Sequence, residues 1–142
     1  MGYQDDTRSL RDVFRSEFDM YELHHVQLAM PPGEEERARS FFGDLLGMEE
    51  IAKPAELARR GGAWFRHDQL ELHLGVEHDF SPAAKAHPGI LTDALDEVAE
   101  RLKTGGYAVN FDEAFPGFRR FYTQDCFGNR LEFLQPADDV SN

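Results

Sequence analysis

The chain passes twice through one order of elements: strand, helix, strand, strand, strand. Ligand-type side chains recur at matching places in the two passes. His25 and His73 stand 48 residues apart in the first half, and His87 and Glu132 stand 45 apart in the second. Each lies in a stretch that reads as a strand, with a helix-like stretch between the members of each pair. Such a chain is restricted to two small sheet-and-helix units that meet at a seam. Four donors at a repeated spacing suggest a metal site built there.

Residues 23–30 read as the first strand. His25, Gln27 and Ala29 point one way; His24, Val26, Leu28 and Met30 point the other. The second set packs on a helix if sheet and helix are layered in the usual way, which turns His25 to the open face. Pro31-Pro32-Gly33 breaks the strand. Residues 34–46 form a helix with acids in its first turn and Ala38, Phe41, Phe42, Leu45 and Leu46 as its buried stripe. Gly47 stops it. Short strands follow at 48–51 and 63–66, then a turn at His67-Asp68-Gln69 and a fourth strand at 70–76. There Leu70, Leu72 and Leu74 alternate strictly with Glu71 and His73, so His73 faces away from the apolar layer.

Residues 77–86 are a joining loop, after which the order repeats. A strand at 87–91 precedes a helix at 92–104 that buries Leu95, Val98, Ala99 and Leu102. Strands follow at 107–112, 118–123 and 130–135, and Gly128-Asn129 marks the hairpin turn between the last two. The expected fold is α+β: two βαβββ modules, 21–77 and 86–136, form one domain over 21–136. Their curved mixed sheet would enclose a cleft into which His25, His73, His87 and Glu132 look. Residues 1–20 read as a helical extension, with a weak capping box at Ser9 to Asp12 and Leu10, Val13, Phe14 and Phe18 at helical spacing. Residues 137–142 read as a polar tail.

Composition narrows the function. With 142 residues and 41% hydrophobic side chains, the chain can bury a core for one domain or two fused modules. There is no long apolar run, so no membrane span is expected, and the N-terminus is too polar for a signal peptide. The lone Cys126 excludes an intramolecular disulfide and fits a reducing cytoplasm. A net charge of −12 argues against a nucleic-acid partner. It permits a cationic ligand, but the acids are scattered, as solubility alone would have them.

Three segments carry a family resemblance. They are Leu23-His24-His25-Val26-Gln27-Leu28, the helix end Phe41-Phe42-Gly43-Asp44-Leu45-Leu46-Gly47-Met48, and Phe121-Tyr122-Thr123-Gln124-Asp125-Cys126-Phe127-Gly128-Asn129-Arg130-Leu131-Glu132. Together they resemble the vicinal oxygen chelate superfamily of glyoxalases, extradiol dioxygenases, fosfomycin-resistance transferases and bleomycin-binding proteins. The closing hairpin is the most specific, with Cys126 where proline is usual. The resemblance spans residues 22–136 and implies a glyoxalase-like domain. It implies metal ligands at His25, His87 and Glu132, with His73 at a position that some members fill with a fourth ligand. A homodimer is implied as well. Whether the cleft forms within one chain or across two stays open.

Imidazole and carboxylate together suit zinc, nickel, manganese, cobalt or iron. Such a set leaves open positions where adjacent substrate oxygens chelate, and the divalent metal then acts as a Lewis acid. A fourth ligand at His73 leaves less room for dioxygen beside a catechol, which tilts the reading toward lyase or isomerase chemistry. Glu132, His73 and Tyr122 are the candidate catalytic residues, His73 as a base and Tyr122 as an oxyanion donor. Gln27, Glu71, Arg120 and Trp64 are candidate substrate contacts. Arg120 would hold a carboxylate or phosphate, or else pair with Glu71 or Glu132. Glu71 would orient His73 or sit in an ion pair with an arginine. His24 reads as structural, and His67 and His78 as exposed. No base flanks Cys126 in sequence, so it does not read as a nucleophile.

The leading expectation is therefore a metal-dependent lyase or isomerase for a small molecule with adjacent oxygens. The runner-up is an extradiol-type dioxygenase with iron at His25, His87 and Glu132. A third reading is a non-catalytic drug- or metabolite-binding protein, against which the retained ligands count. A fosfomycin-type transferase is disfavoured, because the tail after Pro136 carries no arginine for a phosphonate.

Overall fold

A computed structural model describes residues 20–137. The expected N-terminal helix at 10–18 and most of the polar tail lie outside the described residues. In chain order the elements are β1 (Val26–Met30), α1 (Glu35–Ala38) running into a π-helical segment (Arg39–Leu45), β2 (Glu49–Ile51), α2 (Ala55–Ala58), β3 (Ala63–His67) and β4 (Leu70–Val76). The second module follows as β5 (Gly89–Leu91), α3 (Leu95–Thr104), β6 (Asn110–Asp112), β7 (Phe118–Gln124) and β8 (Arg130–Pro136). The strands make two four-stranded sheets, ordered β1-β4-β3-β2 and β5-β8-β7-β6. In each sheet the first strand runs parallel to the last and the other pairings are antiparallel. Two βαβββ modules are thus present as expected, each with its own mixed sheet.

Strand β1 starts at Val26, three residues later than the alternation suggested. Val26 pairs with Leu72; continuing that register would set His25 beside Glu71 and His24 beside Leu70 at the start of β4, but the ladder ends at Val26 and only Leu23 would fall opposite the β3–β4 turn, where Asp68 sits at φ 52. His24 and His25 precede the ladder and lie outside the strand. His24 is exposed, not packed against the helix layer, which corrects its structural assignment. The start of β5 moves from His87 to Gly89 because Pro88 has no N–H to give the ladder. The helix of the second module begins at Leu95, whose N–H is capped by the Gln135 side chain of β8 at 3.0 Å.

The first helix changes geometry after Ala38. The Leu46 N–H reaches back five residues to the Phe41 carbonyl at 3.0 Å, a wide turn characteristic of π-helix. Phe41 and Phe42 are both buried. Phe42 stacks on Phe65 of β3, and Phe41 meets the edge of Tyr107 in the other module at 4.9 Å. One apolar cluster spans both modules, with Met30, Leu72, Leu74, Leu95, Leu102, Phe121, Leu131 and Phe133 among its members.

A polar clamp also joins the modules. Asp125 accepts from the Phe127 and Asn129 amides at 2.8 and 2.9 Å, holding the β7–β8 turn. Asn129 then donates its side-chain amide to the Ala29 carbonyl of β1, 100 residues away in sequence, at 2.8 Å. Burial pushes the Asp125 carboxyl up, against the pull of these donors. The Asp and Asn of the closing motif thus serve the fold. Before β3 the chain turns at Gly61-Gly62. Gly62 sits at φ +86, and a Cβ there would overlap the Leu74 carbonyl, so only glycine fits.

Candidate functional site

With helices on one side of each sheet, the period-2 alternation delivers polar side chains to the other. On the first sheet the pairings Gln27 with His73, Trp64 with His73, and Arg66 with Glu71 bring these five residues to the open face. Trp64 lies flat on His73, centroids 3.9 Å apart and planes 5° apart. His25 covers the next ring position, 4.0 Å from His73 and 15° from parallel. The Gln27 side chain lies over Gly75, where a Cβ would displace it.

His73 is buried to 4% exposure. Its Nε2 lies 2.8 Å from Glu71 Oε2. Burial holds the imidazole below the usual histidine range, partly offset by Glu71, while the hydrogen bond from His73 holds Glu71 below the usual carboxylate range. A neutral His73 donates Nε2–H to Glu71 and leaves Nδ1 with its lone pair, the pattern by which a carboxylate orients a metal-binding imidazole. His25 is exposed, and its Nδ1 lies 2.9 Å from His24 Nδ1. Parallel rings cannot aim two lone pairs at one point, so shared ligation by His25 and His73 needs the exposed His25 ring to turn.

On the second sheet Tyr122 pairs with Glu132, and Arg120 pairs with Asp112 across β6. Glu132 is 6% exposed. One of its oxygens lies 3.0 Å from His87 Nε2, and the other accepts from Arg120 at 3.1 Å. Arg120 also reaches Asp112 at 3.5 Å. The ion pair with Glu132, one of the two sequence expectations for Arg120, is the one present. Tyr122 meets the edge of His87 at 5.3 Å. His87 Nδ1 lies 2.9 Å from the Lys85 carbonyl, to which it must donate. In a neutral ring Nε2 then carries a lone pair facing a carboxylate oxygen. Such a contact requires a proton or a metal cation between the two atoms. Two ligands bound at right angles to a zinc-sized ion, each about 2.1 Å from it, lie about 3.0 Å apart, so the pair fits a metal in its donor set and spacing.

The two donor pairs lie on separate sheets. Among the described residues, no three His, Cys, Asp or Glu side chains converge as a metal-binding group. Two residues escaped sequence reasoning. Asp112 pairs with Arg120, and Arg130 lies over the Tyr122 ring at 4.2 Å. Arg130 precedes Glu132 by two, so strand alternation alone would have put it on this face. A cleft of about 410 Å³ at the β6 edge, lined by Phe111, Phe118 and Arg119 among others, touches this group only through Arg120 and Asp112. His67 and His78 are exposed as expected.

Cys126 is half-buried, and its Sγ donates to the Arg37 carbonyl at 3.4 Å. Burial and the neighbouring Asp125 push the thiol up to about 12. At pH 8 the native protein should react with iodoacetamide on the order of a thousandfold more slowly than the urea-unfolded chain, because the thiolate is the nucleophile. Intact mass spectrometry over time reads this directly, and equal rates would contradict the packing described.

Two βαβββ modules, each with one open sheet face, define the paired-module fold of glyoxalases. The sequence pattern of the Glyoxalase/Bleomycin resistance protein/Dioxygenase superfamily matches residues 22–133, and the chain belongs to that superfamily. It is similar to a glyoxalase family protein from Bacillus anthracis at 47% identity and TM-score 0.80, over 83% of this chain and 97% of that one. The fold is shared with TnmS3, an antibiotic binding protein from Streptomyces sp. CB03234, at 23% identity and TM-score 0.64, over 83% and 99% of the two chains. It is shared too with lactoylglutathione lyase from Agrobacterium tumefaciens, at 19% identity and TM-score 0.58, over 78% and 91%. No curated protein matches the sequence. Superfamily members generally use divalent metals, bind small molecules and often act as dimers. Among the described residues no helix is long and apolar enough to cross a membrane.

Proposed function

We propose that this protein is a divalent-metal-dependent lyase or isomerase of the glyoxalase kind, acting on a small molecule with adjacent oxygens. The contact between His87 Nε2 and Glu132 Oε1 at 3.0 Å carries the reading, because the Lys85 carbonyl takes the Nδ1 proton and leaves Nε2 facing a carboxylate oxygen, an arrangement that a divalent cation, or a proton, would complete. His25, His73, His87 and Glu132 would hold the ion, and zinc, nickel, manganese and iron all accept such donors. The bound metal supplies Lewis-acid polarisation of a substrate oxygen. The chain's own residues do the rest. Tyr122 donates from its hydroxyl to a developing oxyanion. Where His25, His87 and Glu132 alone hold the ion, the free lone pair on His73 Nδ1 would instead accept and return a proton. Trp64 walls the site with a flat apolar face, and Gln27 offers an amide to a polar substrate group.

The full donor set would form between two copies of the chain, the His25 and His73 pair of one meeting the His87 and Glu132 pair of the other. The separation of the pairs on two sheets supports this homodimer. A complementation experiment tests it. His73→Ala and Glu132→Gln variants are each stripped, mixed, allowed to exchange subunits and reloaded with nickel. Mixing restores metal binding at up to one site in two if the sites are shared, and restores none if each chain builds its own.

Arg120 favours a second reading. It already neutralises the second oxygen of Glu132, an arrangement that also suits a metal-free protein that binds a small ligand. An extradiol dioxygenase, with iron at His25, His87 and Glu132 and His73 as acid-base group, would be marked by the identity of the bound metal.

A further inference from the structure

The open face of the second sheet carries two arginines, and the register sets them on opposite sides of Tyr122 along the strands: Arg120 lies beside Leu134, Tyr122 beside Glu132, and Arg130 beside Gln124. Their surroundings differ. Both terminal nitrogens of Arg120 go to carboxylates, Glu132 and Asp112. Arg130 makes no close ion pair among the described residues; its one hydrogen bond is a long contact of 3.5 Å to the Lys85 carbonyl. That carbonyl also receives His87 Nδ1 at 2.9 Å, so Arg130 is held next to the His87–Glu132 pair. Glu132 makes no ion pair with it; the Glu132 oxygens lie against His87 and Arg120. The guanidinium lies over the Tyr122 ring at 4.2 Å. A guanidinium over a ring keeps its edge donors for other partners, and here only one of them reaches the Lys85 carbonyl, leaving others for a carboxylate or phosphate. In a chain of net charge −12, a half-buried arginine with no close ion pair among the described residues, its acid neighbour Asp112 acting only through space and already bonded to Arg120, marks a place for an anion brought from outside.

We propose that Arg130 is a specificity-determining residue that docks an anionic group, carboxylate or phosphate, of the substrate beside His87 and Glu132. This deepens the enzyme reading above and rests on its choice of the open face as the substrate site. It assigns the substrate to the anionic small molecules, with the charge set apart from the adjacent oxygens.

The test uses metal-free, full-length protein, so that its outcome does not depend on metal binding. Benzoate and inorganic phosphate are titrated by calorimetry and by ligand-observed NMR, with benzamide as the uncharged control. Wild type should bind benzoate or phosphate and not benzamide. Arg130→Met should weaken anion binding at least tenfold, and Arg130→Lys should keep part of it. Arg60→Met, which removes the same charge from an exposed site elsewhere, should leave binding unchanged. Nickel affinity should be the same in wild type and Arg130→Met. Unaltered anion binding in Arg130→Met, an equal loss in Arg60→Met, or no anion binding by wild type would each overturn the proposal. Failure of the metal reading would instead appear as absent nickel binding with anion binding intact.

Discussion

Glu132→Gln should lower divalent-metal affinity at least a hundredfold while leaving the fold intact. Glutamine keeps the shape of glutamate and can still accept from Arg120, so the packing of β7 on β8 is preserved. It removes the negative oxygen that faces His87 Nε2 at 3.0 Å. Loss of an orienting partner alone costs roughly 10–100-fold in affinity, and loss of a charged ligand should exceed that. Stability provides a second reading. A metal present at a hundred times its dissociation constant stabilises the folded state by about 2.7 kcal/mol, which for a domain of this size raises Tm by about 8 °C. Wild type should show that rise with nickel or zinc, and Glu132→Gln should not. Competition against a chelator gives the affinities. An equal metal-dependent rise in both proteins would remove Glu132 from the ligand set.

The largest loss of stability is expected from Phe121→Ala. Phe121 has no exposure. Its ring packs on Phe111 and Phe133 at 5.4 and 5.5 Å. It lies on β7 between Arg120 and Tyr122, whose side chains point the other way. Truncating a buried phenylalanine costs about 3–5 kcal/mol, part for lost burial and part for the cavity left behind. Chemical denaturation followed by Trp64 fluorescence should show that loss. Tyr122→Phe is the matched control: it removes one hydroxyl from the open face and should cost no more than about 1 kcal/mol. Phe121→Ala should also weaken metal binding, because the strand that carries Arg120 loses its anchor. Equal midpoints for the two variants would mean that β7 is not anchored through Phe121.

Much of this architecture was legible because the core obeys simple periods. The alternation of Leu70, Leu72 and Leu74 with Glu71 and His73 settles which face of β4 is buried, and the same rule works for Phe121 between Arg120 and Tyr122. Periodicity failed where a partner was needed to complete it. Nothing local to His24 says that β1 leaves the ladder at Val26, although Leu70 of β4 continues opposite it. Nothing local to Phe41 announces the π-turn, whose Phe41 ring packs against Tyr107 in the other module.

The candidate site was legible by residue but not by contact. His25, His73, His87 and Glu132 stand out as donors, and alternation turns the strand residues among them to open faces. The stacking of His25 and Trp64 on His73, and the choice of Glu132 by Arg120, depend on distances between strands that a linear pattern does not contain. Arg130 was within reach of the alternation argument, since it shares a face with Glu132. Its lack of a close ion pair is a property of three dimensions. Asp125 and Asn129 show the converse. The motif drew attention to the hairpin as a site, and its polar residues turn out to clamp two modules together.

The central claim is that His87 and Glu132 embrace a divalent ion. Elemental mass spectrometry of purified, untagged wild-type protein tests it most directly, before and after reconstitution with zinc, nickel, manganese and iron. The account predicts about one equivalent of one of these metals per chain, bound tightly enough to survive gel filtration. No metal retained under any of these conditions would contradict it, and would leave a small-molecule-binding protein in which a proton bridges His87 and Glu132.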